Sequence, residues 1–149
     1  EKRKEDFSIV LRDGRIYKED RVIIATGGKA MPSTGSDGNG YDLAKKFGHK
    51  IVDVFPGLVQ LKLAGDFFNR IDGVKIVGTA ALMKDDKFIK EYRGDVLFTN
   101  YGISGPPILQ LSREAIELIN KGEKPYIKVS IIDSMNKDEL NEYLRKRFS

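Results

Sequence analysis

Five glycines crowd the stretch Arg21–Ala44, RVIIATGGKAMPSTGSDGNGYDLA, in an order that can hold a phosphate or a nucleotide. Val22, Ile23, Ile24 and Ala25 form a short, mostly β-branched apolar run, which reads as a strand covered on both faces. Gly27 and Gly28 end it, and Gly35, Gly38 and Gly40 let the backbone expose consecutive N–H groups just before a helix begins near Tyr41. A helix N-terminus adds a field that favours an anion. The pattern is G-x-x-G-x-G and not an intact G-x-G-x-x-G, so a glycine-rich turn without a ligand is the competing reading.

A second polar loop lies at Phe98–Pro107, FTNYGISGPP. Thr99, Asn100 and Ser104 are candidates for the mouth of a ligand site, where loop polar groups cluster. The plainer reading makes Ser104 the N-cap of the helix that follows. His49 is the only histidine and there is no cysteine, which excludes a multi-histidine metal site, Cys-ligated zinc, Fe–S clusters, disulfides and thiol catalysis. Asp85-Asp86 reads as a turn, and no metal site is expected. No Ser–His pair can be assembled with assurance, and no residue is assigned as catalytic.

The elements that must carry these residues change period several times. Phe7–Leu11 and Ile16–Val22 flank Asp13-Gly14 as a β-hairpin. A short helix spans Asp42–Phe47 and stops at Gly48, with His49 at the surface beyond it. Strands are expected at Ile51–Val54, Leu58–Leu63, Val74–Met83, Lys87–Tyr92 and Asp95–Thr99, separated by Pro56-Gly57, Asp72-Gly73, Asp85-Asp86 and Arg93-Gly94. Pro106–Asn120 has a broad apolar face, proline in its first turn and Gly122 past its end, so it reads as a helix. Tyr126–Ile132 returns to strand, and a last helix starts after Ser134 or Asn136. The fold class is α+β, with an antiparallel, barrel-like sheet and appended helices.

The chain has 149 residues, 40% of them hydrophobic and 32% charged, enough for one sizeable core or two small lobes. No apolar run reaches the length of a membrane span, and EKRKEDF resembles no targeting peptide. The expectation is a cytoplasmic protein with no membrane partner. The net charge of +4 invites nucleic acid, but lysines and arginines alternate with acids, and only EKRK and Arg145-Lys146-Arg147 are dense. RNA contact therefore has thin support.

Five blocks together carry a family resemblance: VIIATGG at 22–28, PSTGSDGNGY at 32–41, LAKKFGHKI at 43–51, PGLVQL at 56–61 and GDVLFTNYGISGP at 94–106. They resemble the BaiN-like, or aminoacetone oxidase-like, flavoproteins, which are NAD(P)/FAD-dependent oxidoreductases. The resemblance covers about residues 15–112.

It implies a piece of an FAD-dependent oxidoreductase, with NAD(P)H as electron donor and the remainder of the parent chain as partner. Residues 1–45 would be a partial FAD-binding α/β segment, and residues 50–149 an inserted β-barrel-like domain forming part of the substrate-side wall or cap. Ala25, Thr26, Gly27 and Gly28 would pass close to FAD, with Thr34, Gly35, Gly38 and Gly40 in the turn behind, chiefly through backbone. Two departures stand out: Asn39 replaces the family's acid, with Asp37 displaced by two positions, and Asn100 replaces a histidine, so it cannot move a proton near neutral pH. The substrate is unknown at this level, and the piece alone is expected to turn over little or nothing. The alternative is an RNA- or protein-binding β-barrel module with no redox role of its own.

Overall fold

The computed structural model describes residues 6–148; the EKRK cluster lies outside them. The chain divides into two compact units, Glu1–Val54 and Phe55–Ser149.

In the first unit, β1 (Phe7–Val10) and β2 (Ile16–Glu19) pair antiparallel, Phe7 opposite Glu19 and Val10 opposite Ile16. The Asp13 carboxylate accepts the Arg15 backbone N–H at 3.1 Å and its Nε–H at 2.8 Å, and Gly14 takes a positive φ of 86°. This is the turn that Asp-Gly chemistry favours. Helix α1 (Asn39–Lys46) ends through Gly48, at φ 85°, with the His49 N–H returned to the Ala44 carbonyl at 3.2 Å. A left-handed glycine closing the last turn is the usual solution for orphan carbonyls. Phe47 meets Phe7 edge to face at 5.9 Å.

The expected strands at Val22–Ala25 and Ile51–Val54 do not form. A strand is defined by its neighbours' hydrogen bonds, and among the described residues neither segment has a ladder partner. Ile23 and Val52 are left in solvent, at 90% and 81% exposure, and Ile51 is half-buried.

The second unit is an antiparallel, curled sheet with the spatial order β3 (Leu61–Lys62), β6 (Gly102–Ser104), β5 (Lys87–Thr99), β4 (Lys75–Lys84), β7 (Tyr126–Ser130). Helix α2 (Pro106–Asn120) lies against one face, and α3 (Lys137–Phe148) follows β7. The fold class is thus the α+β barrel-like arrangement read from the sequence. Ala80 and Leu82 of β4, Val96 of β5 and Ile103 of β6 face Ile108, Leu111 and Ala115 of α2 in one core, completed by Leu61 and Phe68. Most of these are fully buried, so their removal from water stabilises the unit by about 1.5–3 kcal/mol per large side chain.

Three details differ from the expected elements. Only Leu61 and Lys62 of the alternating run Leu58–Leu63 enter the sheet. Lys87–Tyr92 and Asp95–Thr99 fuse into one thirteen-residue strand, because Arg93-Gly94 is not a turn. Gly94 instead sits opposite Gly78 in the ladder, and a Cβ there would press on the Pro107 ring, so glycine is needed for close approach of α2. Ser104 is the last residue of β6, and Gly105 takes the N-cap position of α2 without a side-chain cap. The last helix does start after Asn136: its Oδ1 accepts the Asp138 and Glu139 N–H groups at 3.0 Å, and the Glu139 carboxylate accepts the Asn136 N–H at 2.8 Å. That reciprocal pair is a capping box. No helix among the described residues is long and apolar enough to cross a membrane.

Candidate functional site

The largest cavity described, about 750 Å³, lies within the first unit. Its wall is mostly apolar, from Val22, Ile24, Ala44, Phe47 and Ile51, and Thr26, Gly27 and Gly40 also line it. Residues 22–28 and α1 form it together: the chain leaves β2, passes residues 22–28, and returns through the glycine-rich loop into α1.

The glycines of that loop are explained first by chain packing. A Cβ on Gly40 would overlap Thr26 Oγ1, one on Gly27 would come within 2.9 Å of Ser36 Oγ, and one on Gly28 within 3.1 Å of the Tyr41 hydroxyl oxygen. Residues 26–28 therefore lie directly on Ser36 and the first turn of α1, as only missing side chains permit. Thr34 and Gly35 serve the turn itself: the Thr34 hydroxyl donates to the Met31 carbonyl at 2.9 Å, and Gly35, at φ 96°, returns its N–H to Pro32. Gly38, at φ 87°, is the N-cap of α1, and Ala25 is exposed.

The N-terminus of α1 differs from a phosphate cradle in its charge. The Asp37 carboxylate accepts the Asn39 N–H at 3.0 Å, and Asp42 stands in the first turn. Two carboxylates there satisfy the helix field with the chain's own negative charge and oppose an incoming anion. A second, more polar cavity of about 550 Å³ includes Asp37, Asn39 and Asp42 together with Lys29 and Lys45. Thr26, Gly27 and Gly40 thus meet at the apolar cavity, while Asp37, Gly38 and Asn39 line the polar one.

Thr99, Asn100 and Ser104 lie in the second unit, on the β5–β6 hairpin. Leu97 pairs with Ser104 and Thr99 with Gly102, which puts Thr99 and Ser104 on one face of the ladder. Thr99 Oγ1 is buried without a hydrogen-bond partner, Ser104 is buried, and Asn100 is exposed at the turn. None of the three lines the cavities above.

Several ionisable groups of the second unit are paired. The Lys90 ammonium meets Glu114 at 2.7 Å and holds that carboxyl below the usual carboxylate range, the hydrogen bond being the larger cause. The Asp133 carboxylate accepts the Thr79 hydroxyl at 2.8 Å and the Arg93 Nε–H at 2.9 Å, and both hold it low. Among the described residues no group of acids and histidine could hold a metal ion.

Sequence reasoning missed two residues. Ser112, fully buried on α2, accepts the Val59 N–H at 3.1 Å and donates to the Leu109 carbonyl at 2.8 Å, fastening a loop 53 residues away. Leu58, beside it, has a positive φ of 56°. The first is visible in sequence as a serine on the apolar stripe of α2; nothing local announces the second.

Residues 55–149 match the family described as HI0933-like protein barrel and H2TH domain. A 3-dehydro-bile acid delta(4,6)-reductase of Clostridium scindens is 36% identical over 134 residues, 90% of this chain and 33% of the relative. Ribosomal RNA dihydrouridine synthases of Escherichia coli and Haemophilus influenzae are 31% and 32% identical over 93 residues, covering 62% and 61% of this chain and 23% and 22% of their own lengths. The chain thus spans a third or less of the curated relatives it matches.

Proposed function

We propose, since this chain belongs to the HI0933-like family of barrel and H2TH proteins, that it is part of an FAD-dependent oxidoreductase that reduces a carbon–carbon double bond with electrons from NAD(P)H. The observation that carries the reading is the 36% identity to a reductase, which runs through both units and not through the barrel alone. The first unit contributes one wall of the flavin site, and the remainder of the parent protein covers Val22–Ala25 and Ile51–Val54. Ladder hydrogen bonds to neighbouring strands would turn those exposed β-branched runs into the buried strands that their composition suits.

FAD supplies the hydride chemistry when bound. The residues present suit its less charged parts: Thr26 and the Gly27 backbone line an apolar cavity, whereas Asp37 and Asp42 at the start of α1 disfavour the diphosphate there. Thr26 would hydrogen-bond and orient, and Val22, Ile24 and Phe47 would exclude water. The second unit forms the substrate-side wall, with Thr99 and Ser104 on one face of its β5–β6 hairpin. Asn100 can orient a group but moves no proton near neutral pH. The names of two relatives favour an RNA base as one form the substrate takes.

The test is to purify the full-length protein and titrate it with FAD while following flavin absorbance and fluorescence, then to assay NADH and NADPH oxidation. The expected result is stoichiometric flavin and slow reduction by one nicotinamide. Protein that takes up no flavin refutes the reading. For RNA as substrate, binding that weakens steeply with salt is expected, and salt-independent binding refutes it.

A further inference from the structure

Two hydroxyls on one face of the β5–β6 hairpin have no hydrogen-bond partner among the described residues. Thr99 Oγ1 is buried without one, and Ser104, only 8% exposed, has none for its side chain. Thr99 stands opposite Gly102 and Ser104 opposite Leu97, so the two are diagonal neighbours across the ladder. A buried polar group left unmet costs stability, and two such neighbours need a reason. Further along the same face, several polar groups serve one another: Lys75 pairs with Asp95 at 2.8 Å, and Asp133 accepts from Thr79 at 2.8 Å and Arg93 at 2.9 Å.

The ladder brings a positive charge to the unmet pair. Lys62 of β3 and Thr99 of β5 both stand opposite Gly102 of β6, so the three form one row across the sheet. Leu61 points into the core, and strand alternation therefore puts Lys62 on the face that carries the hydroxyls. Gly102 admits no side chain, because a Cβ would collide with the Leu61 carbonyl, so the row is bare at its middle. Two strand spacings put Lys62 and Thr99 roughly 10 Å apart at Cα, a gap that a lysine stem spans in large part. Lys62 is exposed and has no ion pair among the described residues.

We propose that Lys62, Thr99 and Ser104 form a subsite for an anionic oxygen group, the carboxylate or phosphate of a ligand. An ammonium and two hydroxyls offer hydrogen-bond donors and one positive charge, which such a group uses and a hydrocarbon does not. Thr99 joins by turning one staggered step about χ1, which exchanges its methyl for its oxygen. The inference deepens the reading of this face as the substrate-side wall by giving its ligand a charge, and it rests on that reading.

Sodium phosphate and sodium acetate are titrated into the full-length protein at constant ionic strength, while the amide shifts of Thr99 and Ser104 are followed by NMR. Saturable shifts are expected, and the anion that binds more tightly names the source, phosphate or carboxylate. Lys62→Met and Ser104→Ala are each expected to weaken that binding about tenfold, the loss of one charge-assisted hydrogen bond. Thr99→Val keeps the side-chain shape; it is expected to weaken binding to a similar extent and to leave the thermal midpoint unchanged or higher, since an unmet hydroxyl has gone. Absence of saturable shifts with both anions overturns the inference, as does unchanged affinity in Lys62→Met. A clear fall in the Thr99→Val midpoint also overturns it, because the hydroxyl then has a partner within the fold. Flavin content is read on the same samples. Flavin-loaded protein that ignores both anions sinks the subsite alone, and flavin-free protein that binds one in a Lys62-dependent way sinks the flavoprotein reading alone.

Discussion

Replacing Ser112 with alanine removes one oxygen and leaves the Val59 N–H without its acceptor. That donor is half-buried, so the loss costs about 1–3 kcal/mol, the desolvation penalty of an unmet backbone group. The Leu109 carbonyl also loses a donor, but it lies inside α2, where the helical ladder already serves it. Alanine recovers about 0.5 kcal/mol over serine in a helix interior. The net expectation is destabilisation by about 1–2 kcal/mol. For a unit of this size that corresponds to a fall in thermal midpoint of roughly 5–15 °C. Thermal unfolding followed by circular dichroism gives the midpoint, and amide hydrogen exchange at Val59 localises the effect. A midpoint shift of less than about 1 °C together with unchanged Val59 exchange would falsify the claim that this hydroxyl fastens the loop.

Leu82→Ala should destabilise the second unit by about 2–5 kcal/mol, because Leu82 is fully buried between the sheet and α2; chemical denaturation measures it, and a loss under about 1 kcal/mol would contradict the assigned core. Gly105→Ala should be at least as damaging, since a Cβ at φ 105° would collide with the Asp95 carbonyl; soluble expression and the unfolding midpoint report it, and a wild-type midpoint would count against the close approach. Asp133 and Glu114 have folded pKa values below the ordinary carboxylate range, so their stabilisation is complete above about pH 4–5 and is lost as pH falls through the lower folded values. Acid unfolding should therefore set in below about pH 4, and Asp133→Asn should flatten that limb; an unchanged acid profile in the variant would show that the Thr79 and Arg93 contacts contribute nothing.

Elements stabilised by their own residues were legible in the chain. The Asp13-Gly14 hairpin, the proline-led α2 and the Asn136 cap of α3 each rest on local chemistry, and each forms where its residues indicate. Segments that need neighbours were not: Val22–Ala25 and Ile51–Val54 have strand composition, yet composition supplies no hydrogen-bond partner. Arg93-Gly94 misled because glycine marks both turns and close approaches, and only packing against Pro107 tells them apart. In the candidate site, Thr26, Gly27 and Gly40 could be named from the glycine pattern, whereas Asp37 capping Asn39 and Ser112 reaching Val59 depend on geometry that spacing does not encode.

The strand order of the second unit has an engineering consequence. Its first strand, β3, and its last, β7, stand on opposite margins with three strands between them. Four interstrand spacings of about 4.8 Å separate those margins, a path of roughly 19 Å followed around the curl of the sheet. A shortened version that keeps the sheet must therefore retain everything from residue 61 to residue 130, because trimming either margin strips the ladder of the strand beside it and leaves a new open edge for another chain to pair with.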